Sequence, residues 1–154
     1  MDDIDITLVE ILQKKGRTRR NDLAEAVGLS IPSVSERLRK LEESGVILGY
    51  YAHLDPKKVG KDITAFITVT VDSSKHYPTF LEHTSASEEV LEVHSITGEG
   101  THLLKVRTEN ASSLEKLLSK IQAWSGVVQT RTSVVLSSTK ETLRLKLNRN
   151  KEKI

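Results

Sequence analysis

The chain of 154 residues contains no cysteine. Disulfides, thiolate metal centres and cysteine nucleophiles are therefore excluded, and the composition suits a reducing compartment. Aromatic residues make up only 4%, with a single tryptophan, so the 37% hydrophobic content must pack a core from aliphatic side chains. No apolar run approaches the roughly 20 residues that a membrane span needs. The acidic opening Met1-Asp2-Asp3-Ile4-Asp5 is not laid out as a signal peptide. A cytoplasmic chain without a membrane partner is expected. The net charge of +2 is too small to name a partner by itself.

The charge that is present is unevenly placed. From Lys14 to Lys40 there are eight basic residues (Lys14, Lys15, Arg17, Arg19, Arg20, Arg37, Arg39 and Lys40) against Asp22, Glu25 and Glu36. A local basic surface of this kind holds phosphate by releasing counterions. The same stretch carries a two-helix pattern. Leu23, Ala24 and Val27 form one apolar stripe, Gly28-Leu29-Ser30 interrupts it, and Val34, Leu38 and Leu41 resume it. Ala24 allows a close helix crossing. Gly28 suits a helix end that needs positive φ, Ser30 is a good N-cap, and Pro32 falls in the first turn, where its missing N–H costs nothing. The spacing is that of a helix-turn-helix, whose second helix lies in a DNA major groove. Ser30, Pro32, Ser33, Ser35, Glu36, Arg39 and Lys40 fall on its outward face or flanks, and Arg17, Arg19 and Arg20 precede its first helix. These ten residues are the candidate DNA contacts.

An amphipathic helix over 3–15, with Ile4, Leu8, Ile11 and Leu12 as its stripe, precedes this unit. Asp2, Asp3 and Asp5 complement its dipole. Val46-Ile47-Leu48 and Tyr50 to Leu54 read as a short wing or linking strand. Residues 1–54 form one expected domain, and 55–61, opening on Asp55-Pro56, a linker. Beyond it the period changes to two. Ile63, Ala65, Ile67, Val69 and Val71 alternate with Thr64, Phe66, Thr68 and Thr70 in a half-buried strand. Helical spacing at Tyr77, Phe80 and Leu81 follows, with Tyr77 and Trp124 as packing aromatics. Strands are then expected at Val90–Ile96 and Thr101–Thr108, and a helix capped by Asn110 buries Leu114, Leu117, Leu118 and Ile121. A last strand runs from Val127 to Ser137. The order β-α-β-β-α-β over 62–140 is the ferredoxin-like arrangement, within an α+β chain. Helices cover one sheet face, and a second subunit is expected on the other. Residues 141–154 form a basic tail in which Leu143, Leu145 and Leu147 alternate with polar residues.

In order and spacing, Asp2-Asp3-Ile4-Asp5, Gly16-Arg17, Asp22-Leu23-Ala24, Val27-Gly28-Leu29-Ser30, Leu41-Glu42-Glu43, Gly45-Val46-Ile47, Leu54-Asp55-Pro56, Thr97-Gly98 and Leu103-Leu104-Lys105-Val106 are distinctive. With them the chain resembles the leucine-responsive/asparagine-synthesis (Lrp/AsnC, or feast/famine) transcription regulators over nearly its full length. The resemblance implies a winged helix-turn-helix domain joined to a ferredoxin-like effector domain, and homodimers that assemble to octamers on nucleoid DNA. It also implies a small-molecule effector, usually an amino acid, held between effector domains, and no cofactor. The turn Thr97-Gly98-Glu99-Gly100-Thr101 is the part of that site this sequence places. Its glycines expose N–H groups to a carboxylate, and Glu99 or Thr101 meets an ammonium; Ser137 and Ser138 come from a neighbouring subunit. Many members carry an acidic residue followed by an aromatic where this chain has Thr101-His102, which puts leucine itself in doubt. At the start of the second helix Arg19 replaces a usual serine or threonine cap, leaving Thr18 as the alternative.

Two other classes fit less well. No nucleophile elbow, phosphate-cradling glycine motif or acid–base constellation marks an enzyme. His53, His76, His83, His94 and His102 lack metal-ligand spacing, although His94 and His102 lie on consecutive strands.

Overall fold

The computed structural model describes residues 1–149, and the last five positions of the expected basic tail lie outside the described residues. The chain divides into two compact units. The first comprises Met1–His53 with the segment from Lys140 onward, and the second Leu54–Thr139.

Three helices build the first unit: α1 (Asp3–Lys14), α2 (Arg20–Val27) and α3 (Ile31–Glu43). Asp2 opens α1 with a reciprocal capping box. Its carboxylate accepts from the Asp5 N–H at 2.8 Å, and the Asp5 carboxylate accepts from the Asp2 N–H at 3.1 Å. Gly28 ends α2 at φ +66, a left-handed conformation that a Cβ would penalise. Ser30 then caps α3. Leu8, Val9, Leu23, Ala24, Val34, Leu38 and Leu41 form the core, with Leu29 packed against it from the turn. Burying each such leucine contributes on the order of 2 kcal/mol. Ile6 and Val9, outside the stripe read from sequence, are also buried, Val9 within the core shared with α2 and α3.

Three local expectations differ. Thr18 does not cap α2; its hydroxyl donates to the Lys15 carbonyl at 2.6 Å, and Arg19 occupies the N-cap without a side-chain bond. Residues 46–54 form no strand, and Leu48 and Tyr51 are exposed. A two-stranded ribbon with nothing to pack on is marginal in water. Residues 140–149 form no strand, but Leu145 to Arg149 are not the free tail expected from the sequence. Leu147 packs on the core of this unit. The Gln13 amide brackets Leu145, donating to its carbonyl at 3.1 Å and accepting from its N–H at 2.6 Å. Arg149 pairs with Glu10 at 2.9 Å.

The second unit contains β1 (Ile63–Val71), α4 (Tyr77–Ser85), β2 (Val90–Ser95), β3 (His102–Thr108), α5 (Ala111–Gln122) and β4 (Val127–Val134). The strands form one antiparallel sheet in the order β2-β3-β1-β4, the ferredoxin-like topology. Ala65, Ile67, Val69, Val71, Leu104 and Val106 point to the helical face, where Phe80, Leu114, Leu117, Ile121 and Trp124 complete the core. The alternate residues of β1, Thr64, Phe66, Thr68 and Thr70, lie on the other face. The last strand stops at Val134 rather than Ser137, and Leu136, Ser137 and Ser138 are exposed.

Candidate functional site

The outward residues of α3 are placed by its cap and its buried stripe. Ser30 accepts from the Ser33 N–H at 3.3 Å, and the two hydroxyls lie 2.8 Å apart. Pro32 and Ser33 are exposed beside Ile31, an exposed apolar residue that the sequence reading did not single out. Ser35 is half-buried. One turn further on, charge is balanced within the helix. Arg39 donates to Glu36 at 2.7 and 2.9 Å and also to Glu43, while Lys40 lies 3.7 Å from Glu36. The bond to Arg39 holds the Glu36 carboxyl below its usual range, and Glu36, then Glu43, push the Arg39 guanidinium up.

Arg37 takes no part in that face. It bonds Asp2 at 2.7 Å and Asp5 at 2.8 Å, so the carboxylates that cap α1 also tie it to α3. The Asp5 N–H first, and Arg37 second, hold the Asp2 carboxyl below its usual range. Tyr50 donates to Glu42 at 2.9 Å, and burial together with that carboxylate pushes its phenol up to about 12. Arg17, Arg19 and Arg20 are exposed on the α1–α2 connection and the first residue of α2.

In the second unit the Thr97–Thr101 turn is braced from beneath. Gly98 and Gly100 have φ of +95 and +82. A Cβ on Gly100 would collide with the Thr68 methyl group, so the turn lies flat on β1 only because glycine stands there. The Thr101 N–H donates to the Val69 carbonyl at 2.9 Å. Its hydroxyl donates to the same carbonyl at 3.1 Å and accepts from the Val71 N–H at 3.0 Å. Thr101 is thus a brace, and Glu99 is the acidic group the turn displays. Glu99 is met by Arg131 of β4 at 2.6 Å, a partner the sequence reading missed. Ser137 and Ser138 are not brought to this turn. Val135 bonds the Thr64 carbonyl, near the end of β1 opposite to Val69.

His102, considered with His94 from the sequence, is buried. It shares the inward parity of Leu104 and Val106, while His94 stands opposite Leu103 and is exposed. The two imidazoles therefore lie on opposite faces and form no metal pair. His102 packs against Tyr77 and Phe80, its Nδ1 lies 2.8 Å from the Thr101 hydroxyl, and its Nε2 has no partner among the described residues. Burial holds its imidazole below the ordinary value of 6.5.

Comparison with known proteins agrees with this geometry in both units. Residues 1–47 match the family described as winged helix-turn-helix DNA-binding, and residues 64–145 match the Lrp/AsnC ligand binding domain. The uncharacterized HTH-type transcriptional regulator YezC of Bacillus subtilis is 41% identical over 90% of this chain and 95% of its own. A transcriptional regulator of Neisseria meningitidis, solved in complex with L-methionine, superposes with a TM-score of 0.90 at 31% identity, covering 96% of this chain and 97% of that one. The feast or famine regulatory protein of M. tuberculosis complexed with L-methionine gives a TM-score of 0.84 at 36% identity, covering 94% of this chain and 97% of that one. Relatives named as regulators, not enzymes, match both halves of the chain, and with them this protein belongs to the Lrp/AsnC family of DNA-binding transcriptional regulators.

Proposed function

We propose that this regulator reads specific operator sequences and that an amino acid modulates its assembly or its DNA affinity. Reading falls to Ser30, Pro32, Ser33, Ser35, Glu36, Arg39 and Lys40 on the outward face of α3, and phosphate contact to Arg17, Arg19 and Arg20. The effector sits at the Thr97–Thr101 turn between effector domains, with Ser137 and Ser138 supplied by a neighbouring subunit. Because those serines lie at the far end of β1 from the turn, a site made of both needs a second chain. Homodimers, formed by covering the free sheet face around Phe66 and assembled further to octamers, supply one. The expected setting is the cytoplasmic nucleoid.

The braced turn carries this reading. Two glycines in left-handed conformations stand on a turn hydrogen-bonded to β1 through Thr101, and backbone N–H groups in such turns suit carboxylate capture. Glu99 is the counter-charge for an ammonium, with Arg131 poised to release it. Two family members of this fold have been solved with L-methionine, which supports an amino acid as the ligand class.

A thermal-shift screen of the proteinogenic amino acids, run beside light scattering, tests the reading. A ligand at 100 times its Kd stabilises the folded state by about 2.7 kcal/mol. At least one amino acid should raise the unfolding midpoint with increasing concentration and change the particle size or the DNA affinity. If none does so at millimolar concentration, the amino-acid reading fails.

A further inference from the structure

Apart from Arg149, which pairs with Glu10, the arginines and lysines of the first unit fall into two sets. Those of α3 are occupied within the chain: Arg37 by Asp2 and Asp5, Arg39 by Glu36 and Glu43, and Lys40 by Glu36. A second set makes no ion pair among the described residues. Lys14, Lys15, Arg17, Arg19 and Arg20 carry it along the end of α1 and the connection to α2, and Lys140, Arg144 and Lys146 carry it on the segment that lies along α1.

That segment is a strap with a fixed seat. The Gln13 amide holds both backbone groups of Leu145, and Leu147, half-buried, packs against the core two residues later. Clamping Leu145 fixes its two neighbours Arg144 and Lys146 in place along α1. Between strap and helix runs a groove of about 350 Å³ whose lining includes Lys14, Lys140, Arg144 and Lys146. The acid in that lining, Glu10, is already held by Arg149 at 2.9 Å. The groove thus gathers unneutralised positive charge at Lys14, where the cation series of the α1–α2 connection begins.

We propose that the strap is a second phosphate-contacting surface for duplex DNA, supplying backbone grip that the internally paired cations of α3 do not. This rests on the chain's DNA binding and extends it to residues outside the helix-turn-helix. Lys140, Arg144 and Lys146 hold phosphates flanking the base pairs read by α3. Because they touch no base edge, their contribution is the same for every sequence.

The full chain carrying K140Q/R144Q/K146Q tests this, with K140R/K146R as a charge-preserving control. The probes are a duplex selected by the wild-type chain from a random library and a scrambled duplex. Each phosphate contact contributes about 0.9 to the slope of log K against log salt, so the slope should shallow by roughly 2.7 per DNA-bound chain. A fourfold rise in salt should then cost the triple variant about 40-fold less affinity than it costs the wild type. At low salt the triple variant should lose affinity equally on both duplexes and keep the wild-type unfolding midpoint, and K140R/K146R should bind as the wild type does. A wild-type slope in the triple variant overturns the proposal. So does a wild-type slope joined to the loss of a thermal shift by inorganic phosphate, which makes the groove a site for a small anion. A wild-type chain that binds neither duplex instead sinks the DNA-binding reading on which the proposal rests.

Discussion

Replacing Glu36 with Gln is the sharpest test of how charge is distributed on α3. In the native chain this one carboxylate accepts two bonds from Arg39, at 2.7 and 2.9 Å, and lies 3.7 Å from Lys40. Glutamine keeps the size and the helix propensity but removes the charge. Lys40 then has no partner on the helix, whereas Arg39 still has Glu43. One cation is released for phosphate and a second is partly released, so the salt slope should steepen by about 1 to 1.5 per bound chain. Over a rise from about 50 to 200 mM salt, E36Q should lose roughly 4- to 8-fold more affinity than the wild type, starting from tighter binding at the low end. All these side chains are exposed, and exposed pairs add little to stability, so the unfolding midpoint should hardly move. Fluorescence anisotropy on the selected and scrambled duplexes, repeated across the salt range, measures both effects. An unchanged slope refutes the reasoning. If binding instead weakens on the selected duplex alone, Glu36 reads a base, as carboxylates read the cytosine amine, and its ion pairs are incidental.

Three further outcomes are expected. His102→Leu removes an imidazole that folding keeps neutral. Because its folded pKa lies below 6.5, the unfolded chain binds the extra proton as pH falls, so the wild type loses stability below about pH 6.5 and keeps it above. The variant should show a flatter acid limb in unfolding midpoint against pH, and equal limbs would show that His102 is not the titrating group. Leu147→Ala should cost about 1 to 2 kcal/mol, since the side chain is only half-buried, and should speed exchange of the Leu145 amide; unchanged exchange would mean that Gln13 alone holds the strap. Gly98→Val puts a β-branched residue at φ +95, in open space but at a strain of about 1 to 3 kcal/mol, and should abolish the effector response while sparing DNA binding. A normal response in that variant would place the ligand site elsewhere.

What could be read in advance was whatever repeats locally. Val34, Leu38 and Leu41 announce the buried stripe of α3, and the alternation from Ile63 to Val71 announces the central strand, because a core face imposes its period on sequence. Some features were legible and passed over. Glu36, Arg39, Lys40 and Glu43 stand at the spacings of helical ion pairs. His102 shares strand parity with Leu104 and Val106, which marks it as inward-facing. The seat of the strap was not legible. Gln13 and Leu145 are 132 positions apart, and a side-chain amide grasping a peptide group leaves no period in either segment. The pairing of Glu99 with Arg131 is hidden in the same way, since only the sheet order brings β4 beside the turn.

The self-balanced outer face of α3 bears on how such a regulator changes targets. With Glu36 and Glu43 against Arg39 and Lys40, that face contributes little net attraction of its own. On the proposed reading, exchanges at Pro32, Ser33 and Ser35, none of which holds the α3 cap as Ser30 does, would alter which bases are preferred, while the time the protein lingers on irrelevant DNA would be set by other surfaces. A duplicated gene with this arrangement would then drift toward new promoters, one small side chain at a time, without becoming either sticky or loose across the rest of the genome.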